Sequence, residues 1–150
     1  MVPDDKAPTG SVRSVSHIGI AVRSIDSTLG FYEGVLGLSC EHMEEVKSQQ
    51  VRTAFLPIGG TRVELLEATS PQSPIARFID KRGEGIHHLA FDVDHVARAL
   101  ERAKAQGLRL IDEVPRLGAR GCLIGFLHPD SCHGVLVEFV EDRPPKKVSG

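Results

Sequence analysis

The sequence nearly repeats itself, and this repeat limits the folds open to the chain more than its composition does. Each half begins with a strand-like run, HIGIAV at 17–22 and HLAFDV at 88–93, in which apolar residues occupy every second position. Each run is followed by a helix-like segment that ends at a glycine, Gly37 or Gly107, and then by three more strand-like segments. Two copies of one β-α-β-β-β unit most economically form a pseudo-symmetric sheet.

Hydrophobic periodicity and turn residues set the expected bounds of these elements. In the first half we expect strands around 17–22 and at 38–45, 51–58 and 61–68. In the second half we expect strands around 88–93 and at 108–114, 121–127 and 134–141. We expect helices from a cap at Ser24 or Asp26 to Gly37, at 74–81, and from a cap at Asp94 to Gly107.

The elements divide the chain into parts that share one domain. Residues 14–141 are expected to form that domain, with polar, proline-containing ends on either side. The expected parts are a flexible arm at 1–13, a first module at about 14–68, a linker with a short helix at about 69–84, a second module at about 85–141, and a flexible tail at 142–150.

Composition excludes several classes of protein. The chain has 150 residues, of which 41% are hydrophobic and 25% charged, as in ordinary globular proteins, and its net charge of −2 disfavours nucleic-acid binding. No apolar run approaches the about 18 residues that span a membrane, and the first residues lack the apolar core of a signal peptide. The three cysteines show no CxxC spacing. We therefore expect a cytoplasmic protein with reduced thiols and no nucleic-acid or membrane partner.

Strand alternation sorts the repeated residues onto two faces. The residues expected under the helices are Ile18, Ile20, Val22, Val63, Leu65, Leu89, Phe91, Val93, Val137 and Phe139. The opposite face then carries two histidines and two glutamates at matching positions of the repeat. His17 and His88 lie 71 positions apart, and Glu64 of VELLE and Glu138 of VEFVE lie 74 apart. Small residues beside each histidine would leave room for a ligand there.

This set of side chains is typical of a divalent metal site. Imidazole and carboxylate ligands suit Co²⁺, Zn²⁺, Mn²⁺, Ni²⁺ or Fe²⁺, whereas Ca²⁺ and Mg²⁺ prefer oxygen ligands alone. Four protein ligands around a six-coordinate ion leave two positions for a substrate with two oxygens. Two glutamates balance the ion's charge, so an anionic substrate would not be repelled. The pattern therefore predicts a metal site inside the sheet.

The histidines and glutamates also have structural interpretations that do not involve a metal. A glutamate in a strand is usually solvated, and a histidine on an apolar face is usually structural; only the matched set favours metal. His87 competes with His88 as a ligand, but strand alternation points it away from the site. Of the histidines without a repeat partner, His95 is expected on a helix surface, His128 and His133 have either a loop role near the site or none, and His42 has no expected role.

Several motifs in a fixed order resemble a known family. The tandem units with two His/Glu pairs resemble the vicinal oxygen chelate superfamily, which includes glyoxalase, bleomycin-resistance and dioxygenase proteins. More narrowly, the chain is similar to the methylmalonyl-CoA epimerase family from about Ser14 to Glu141. The motifs that carry this similarity are HIGIAV, AFLP before GGTRVELLE, SPIARF, GIHHLAFDV, and FLHP followed by CHGVLVEF.

The resemblance implies a fold and a reaction. The fold is α+β, with two β-α-β-β-β modules forming a cup-shaped, half-barrel mixed sheet that has its helices outside and its metal inside. The ligands carried over are His17, Glu64, His88 and Glu138, with Co²⁺ as the favoured ion and Zn²⁺, Mn²⁺ or Ni²⁺ as alternatives. The reaction is interconversion of (2R)- and (2S)-methylmalonyl-CoA by proton transfer at C2 through a metal-stabilised enolate. Family members are commonly homodimers.

One position departs from the family pattern. Some members carry a glutamate in the third strand as an acid or base, and Thr53 holds that place here. Glu138 is the better candidate for proton transfer on one side of C2, and the group for the other side stays unassigned. Six cations are available for the CoA phosphates, without a choice among them: Arg52, Arg62, Lys81, Arg82, Arg116 and Arg120.

Four alternatives keep the fold and change the function. A glyoxalase I-like isomerase would use similar ligands, but the SPIARF and FLHP segments do not match it. An epimerase of another acyl-CoA, such as ethylmalonyl-CoA, is not distinguishable by sequence. A metal-free drug-binding protein is disfavoured by the intact ligand set, and an extradiol dioxygenase by the fourth ligand.

Overall fold

The computed structural model describes residues 9–142, and their elements follow the predicted order. The elements are β1 (Val12–Ala21), α1 (Ile25–Leu29), β2 (His42–Val46), β3 (Val51–Ile58), β4 (Thr61–Ala68), α2 (Pro74–Arg82), β5 (Gly85–Val93), α3 (Val96–Ala105), β6 (Arg116–Leu117), β7 (Leu123–Leu127) and β8 (Val137–Glu141). A π-helical turn at Gly30–Val35 continues α1. The predicted α+β class with two β-α-β-β-β modules is confirmed, and α2 lies in the segment expected to link the modules.

The chain divides into two compact units. The first unit is Val15–Ala90, and the second consists of the residues before and after it, through Ser14 and from Phe91. The division falls within β5, whereas the predicted modules meet at residue 85. The first unit therefore contains the first module and the opening residues of β5, and the second unit contains the rest of the second module and the opening residues of β1. Residues 1–8 and 143–150, which make up most of the expected arm and tail, lie outside the described residues.

The first unit carries strands in the order β2-β3-β4-β1, followed by the beginning of β5. β3 and β4 pair antiparallel across Gly59-Gly60, and β1 pairs with β4 in parallel, with Gly19 opposite Glu64. The mixed sheet predicted from the sequence is thus present. One face of it packs on α1 through the buried residues Val22, Ile25, Ala54, Leu56, Val63 and Leu65. This is the face that strand alternation assigned to the helix.

The linker helix packs on the other face of the same strands. Ile75, Phe78 and Ile79 of α2 belong to a cluster with Ala21 and Leu66, near the carboxyl ends of β1 and β4. Because side chains alternate along a strand, Ala21 and Leu66 share their face with the residues two positions earlier, Gly19 and Glu64. α2 therefore covers one end of the face that carries the predicted ligands.

The second unit carries the end of β5 and then β8, β7 and β6. α3 packs on this sheet through Val96, Ala99, Leu100 and Ala103, which contact Val93, Leu127, Val137 and Phe139. β7 and β8 are antiparallel, with Phe126 opposite Glu138. Glu138 is buried and alternates with the core residues Val137 and Phe139, so it lies on the sheet face away from α3.

The prediction of a strand at 108–114 is wrong. Within it only Leu110 forms an isolated bridge, to Leu127, and β6 lies later at Arg116–Leu117. The carboxylate of Asp112 accepts the backbone N–H of Phe126, a bond that a neighbouring strand would otherwise make. Pro115 follows and has no N–H to donate, and β6 begins at the next residue, Arg116.

Three other strands begin later than predicted, at His42, Leu123 and Val137. For β2 the cause is a side chain, because Glu33 accepts the N–H of Cys40 and holds this residue outside the sheet. For β8 the cause is a turn, because Gly134 has a φ of 88° and donates its N–H to Pro129.

Asp94 does not cap α3 as expected. The cap is His95, whose Nδ1 accepts the N–H of Arg98, so His95 is more than a helix-surface residue. Asp94 instead accepts the backbone N–H groups of Thr9 and Gly10. Desolvation opposes ionisation, but these two hydrogen bonds lower the pKa of Asp94 below its ordinary value. Thr9 and Gly10, in the segment expected to be an arm, are thereby hydrogen-bonded to Asp94, and β1 begins at Val12.

A second pair of repeated glutamates stabilises the helix starts. Glu67 accepts the N–H of Ile25, the first residue of α1, at 2.9 Å. Glu141 accepts the N–H of Val96, the first residue of α3, at 2.8 Å. A carboxylate at a helix N-terminus satisfies a backbone donor and interacts favourably with the helix dipole. None of the helices within residues 9–142 has the length and apolar character that crossing a membrane demands.

We expect Glu67→Ala and Glu141→Ala each to lower the free energy of unfolding by about 1–2 kcal/mol, because each leaves a backbone N–H without its charged acceptor. Urea unfolding monitored by circular dichroism measures this. Glu101→Ala, at an exposed position of α3, is the control and should change stability by less than about 0.5 kcal/mol. Equal stability of all three variants would contradict the assigned role.

Candidate metal site

Three of the predicted ligands meet within the first unit. His17 Nε2 lies 3.1 Å from Glu64 Oε2 and 3.0 Å from His88 Nε2. All three residues are buried, with exposed fractions of 7%, 6% and 4%. Buried polar groups of this kind are costly unless they are paired or hold an ion. The three side chains therefore form a buried cluster in which each contacts at least one of the others, and the cluster lies on the sheet face that strand alternation predicted.

Gly19 makes the approach of these strands to His88 possible. A Cβ at Gly19 would lie only 2.2 Å from His88 Cε1 and 2.4 Å from its Nδ1. Any side chain at this position would therefore displace the imidazole. The sequence suggested that small residues beside the histidines leave room for a ligand; at Gly19 the ring of His88 fills that room.

The outer nitrogen of each imidazole contacts the preceding residue. Ser16 Oγ lies 3.1 Å from His17 Nδ1, and His87 Nδ1 lies 2.9 Å from His88 Nδ1. With both Nδ1 atoms occupied, the two rings present their Nε2 atoms to each other, and that of His17 also lies beside Glu64. A metal-binding histidine usually has its second nitrogen hydrogen-bonded in this way, which fixes the ring's orientation.

The residues fit a divalent transition-metal ion. Nitrogen and oxygen ligands bind such ions at about 2.0–2.2 Å, so two ligand atoms at a right angle are about 3 Å apart. The two distances that join His17, Glu64 and His88 match this separation. Two imidazoles and a carboxylate also form the mixed donor set that these ions prefer over Ca²⁺ or Mg²⁺.

The remaining sequence candidates have different surroundings. Glu138 is buried on β8 of the second unit, and its membership of the site stays a prediction. Thr53 is completely buried, and its hydroxyl donates to the carbonyl of Glu44. His128 begins the turn at Pro129–Ser131, where its Nδ1 accepts the N–H of Asp130. This gives His128 a structural role.

Three of the cations considered for CoA have contacts with other side chains that bear on their availability. Arg52 pairs with Asp26 and Glu67, Arg82 lies over the ring of Phe78, and Arg116 pairs with Asp112.

Sequence reasoning missed three residues that shape the site: Ser16, Gly19 and His87. Gly19 could have been found, because a glycine inside a strand often marks a close approach of another group. The adjacent-residue contacts of Ser16 and His87 had no such signal. Strand alternation points His87 away from His88, yet its ring nitrogen reaches the neighbouring ring.

The cysteines are free thiols, as the sequence predicted. Burial, together with the hydrogen bond to Asp142 and the charge of that carboxylate, raises the pKa of Cys122 to about 12. Burial also raises the pKa of Cys132. Because the thiolate is the reactive form, neither residue is an activated nucleophile.

Comparison with known proteins places the chain in a class. The sequence profile of the Glyoxalase/Bleomycin resistance protein/Dioxygenase superfamily matches residues 16–126. This is most of the chain, and the chain belongs to that superfamily. The predicted resemblance at this level is confirmed.

The relatives narrow the class to one family. Human mitochondrial methylmalonyl-CoA epimerase is 35% identical over 134 residues, covering 87% of this chain and 76% of the relative. The ethylmalonyl-CoA/methylmalonyl-CoA epimerase of Cereibacter sphaeroides is 32% identical, covering 83% and 94%. A methylmalonyl-CoA epimerase solved in complex with methylmalonyl-CoA and NH₄⁺ is 38% identical, with a TM-score of 0.85 and coverage of 88% and 96%. The chain is a member of the methylmalonyl-CoA epimerase family.

We expect Gly19→Ala to weaken metal binding at least tenfold, because the new methyl group would occupy the place of the His88 ring. Competition with a chromophoric chelator measures the affinity, and circular dichroism checks the fold. Gly34→Ala is the matched control, since a Cβ there meets nothing within 4 Å and its φ is not positive. Equal affinities of the two variants would show that the close approach does not position His88.

Proposed function

We propose that this protein is a metal-dependent epimerase that interconverts (2R)- and (2S)-methylmalonyl-CoA by moving the proton at C2. The observation that carries the proposal is the buried His17-Glu64-His88 group on one sheet face. It occurs in a chain whose relatives and structural neighbours, at 31–38% identity, include enzymes named for this reaction.

Four residues are proposed to hold the metal. His17, Glu64 and His88 are supported by their mutual distances and burial. Glu138 is supported by its place in VEFVE, which matches that of Glu64 in VELLE, and by its burial on β8. We favour Co²⁺, with Zn²⁺, Mn²⁺ or Ni²⁺ as alternatives. Such an ion, when bound, would supply positive charge that stabilises an enolate of the substrate as C2 loses its proton.

The two carboxylates set the charge of the site. With neutral imidazoles, Glu64 and Glu138 together balance one divalent cation, so the free carboxylate of the substrate meets a site without net negative charge. Burial lowers the effective dielectric and strengthens the attraction between these charges. With the ion bound, the site would thus favour the dianionic enolate over its monoanionic precursor.

Proton transfer needs a group on each side of C2. We propose Glu138 for one side, where its carboxylate would take the C2 proton of one epimer while a proton is delivered to C2 from the other side; in the reverse direction Glu138 would give its proton back to C2. Thr53 does not serve the other side. It is fully buried, its hydroxyl donates to a backbone carbonyl, and an alcohol is too weak a base near neutral pH.

One alternative substrate is favoured by a specific observation. The Cereibacter sphaeroides relative is named for both ethylmalonyl-CoA and methylmalonyl-CoA, and it covers 83% of this chain. The two substrates differ by one methylene, which a hydrophobic pocket distinguishes only weakly. Ethylmalonyl-CoA therefore belongs in the same assay. The proposal also includes the homodimeric state and cytoplasmic location expected from the sequence.

The direct test is deuterium incorporation at C2 of methylmalonyl-CoA in D₂O, followed by mass spectrometry. We expect exchange that exceeds the enzyme-free rate, stops after chelator treatment and returns with Co²⁺. Exchange without any metal requirement would remove the metal from the proposal. A folded, metal-loaded protein without exchange on either acyl-CoA would overturn the epimerase, and glutathione hemithioacetals would be the next substrates to try.

The VELLE motif provides a matched pair of variants for the same assay. Glu64→Ala should lose metal and exchange together while the chain still folds, because the α1 face of the sheet is unchanged. Glu67→Ala should keep both metal and exchange and lose only stability, because this residue binds the start of α1. If Glu64→Ala retains full exchange, Glu64 is not a ligand.

A further inference from the structure

We propose that His87 is a positioning residue that fixes the orientation and the proton arrangement of the His88 ring for metal binding. This inference rests on the proposed metal site. It concerns the residue that strand alternation had directed away from that site. The main observation that supports it is the 2.9 Å distance between His87 Nδ1 and His88 Nδ1.

This contact restricts where the protons lie. One of the two Nδ1 atoms must donate and the other must accept. A metal at His88 Nε2 requires that atom to be without a proton, so in the neutral ring Nδ1 carries it. His88 Nδ1 therefore donates to His87, and His87 accepts at Nδ1 and carries its own proton at Nε2. A hydrogen bond of this kind raises the basicity of the ligating nitrogen.

The His87 ring is itself held by the linker helix. It packs edge-on against Phe78 of α2, with ring centroids 5.0 Å apart and an interplanar angle of 79°. α2 is anchored on the sheet by Ile75, which is buried with Ala21 and Leu66. Phe78 belongs to the SPIARF motif that marked the family resemblance. A continuous series of contacts thus runs from α2 through Phe78 and His87 to the ligand His88.

The equivalent position in the first module holds a different group. Ser16 precedes His17 as His87 precedes His88, and its hydroxyl lies 3.1 Å from His17 Nδ1. A hydroxyl rotates and serves as donor or acceptor, so Ser16 places little restriction on the His17 tautomer. An imidazole has fixed nitrogen positions and, once packed on Phe78, a fixed plane. The constraint on proton placement is therefore specific to the second module.

The test is a comparison of metal affinity in three variants. His87→Asn places a carbonyl oxygen near the position of Nδ1, whereas His87→Gln places it near Nε2, and His87→Leu removes the acceptor. We expect the Leu and Gln variants to bind Co²⁺ and Zn²⁺ about 10–100-fold more weakly in chelator competition, and the Asn variant to stay within about threefold of the wild type. His42→Leu, on β2, is the control and should bind normally.

A second readout distinguishes the hydrogen bond from packing alone. In the Co²⁺-loaded protein, the Nδ1 proton of a ligating histidine gives a strongly shifted NMR signal. We expect the His88 signal to exchange with solvent much faster in the Gln and Leu variants and at a near wild-type rate in the Asn variant. The His17 signal, which depends on Ser16, should not change.

The outcomes separate this inference from the proposed function. If the wild type binds no metal, the metal site itself fails. If the wild type binds metal and the Leu and Gln variants bind equally well, the metal site stands and the role of His87 is wrong. If the Asn and Gln variants lose affinity equally while folded, His87 acts by shape and not through its Nδ1 acceptor, which also overturns the inference.

Discussion

The parallel pairing of β1 with β4 is the constraint on which the site depends. It sets Gly19 opposite Glu64, and the absence of a side chain at Gly19 leaves the space on β1 that the ring of His88 occupies. A register shift of one residue would turn Glu64 into the α1 core and bring Val63 or Leu65 to the site face. The apolar packing on α1 therefore fixes the ligand geometry, because the register that buries the core is also the register that brings His17 and Glu64 together.

In each repeated glutamate motif, the two glutamates lie on opposite faces of the sheet and have different roles. In VELLE and VEFVE the two glutamates are three residues apart, so they point to opposite sides of the strand. Glu67 and Glu141 face the helices and accept the first N–H of each. Glu64 and Glu138 face away from them, and both are buried. In VELLE one short motif thus supplies both a helix-stabilising group and a residue of the buried His17-Glu64-His88 group, and in VEFVE Glu138 is proposed for the equivalent role.

Much of this could be predicted because strand alternation leaves few choices. The β-α-β-β-β order and the face of His17, Glu64 and His88 follow from apolar residues at every second position. Two predictions failed where a side chain made a hydrogen bond that had been assigned to a different group. Asp112 took the N–H that a strand at 108–114 would have paired, and His95 rather than Asp94 capped α3. Periodicity contains no information about such substitutions, since both arrangements preserve the same apolar pattern.

The contact between His87 and His88 was unpredictable for a different reason. Alternation gives the direction of a Cβ atom, but an imidazole is long enough to turn back toward its neighbour, and only its packing decides whether it does. That packing comes from Phe78 on the linker helix, which occurs once in the chain and has no copy in the repeat. The linker therefore makes the second module differ from the first at this position. Ser16 and His87 occupy equivalent positions, and the ring of His87 is fixed by its contact with Phe78 of α2.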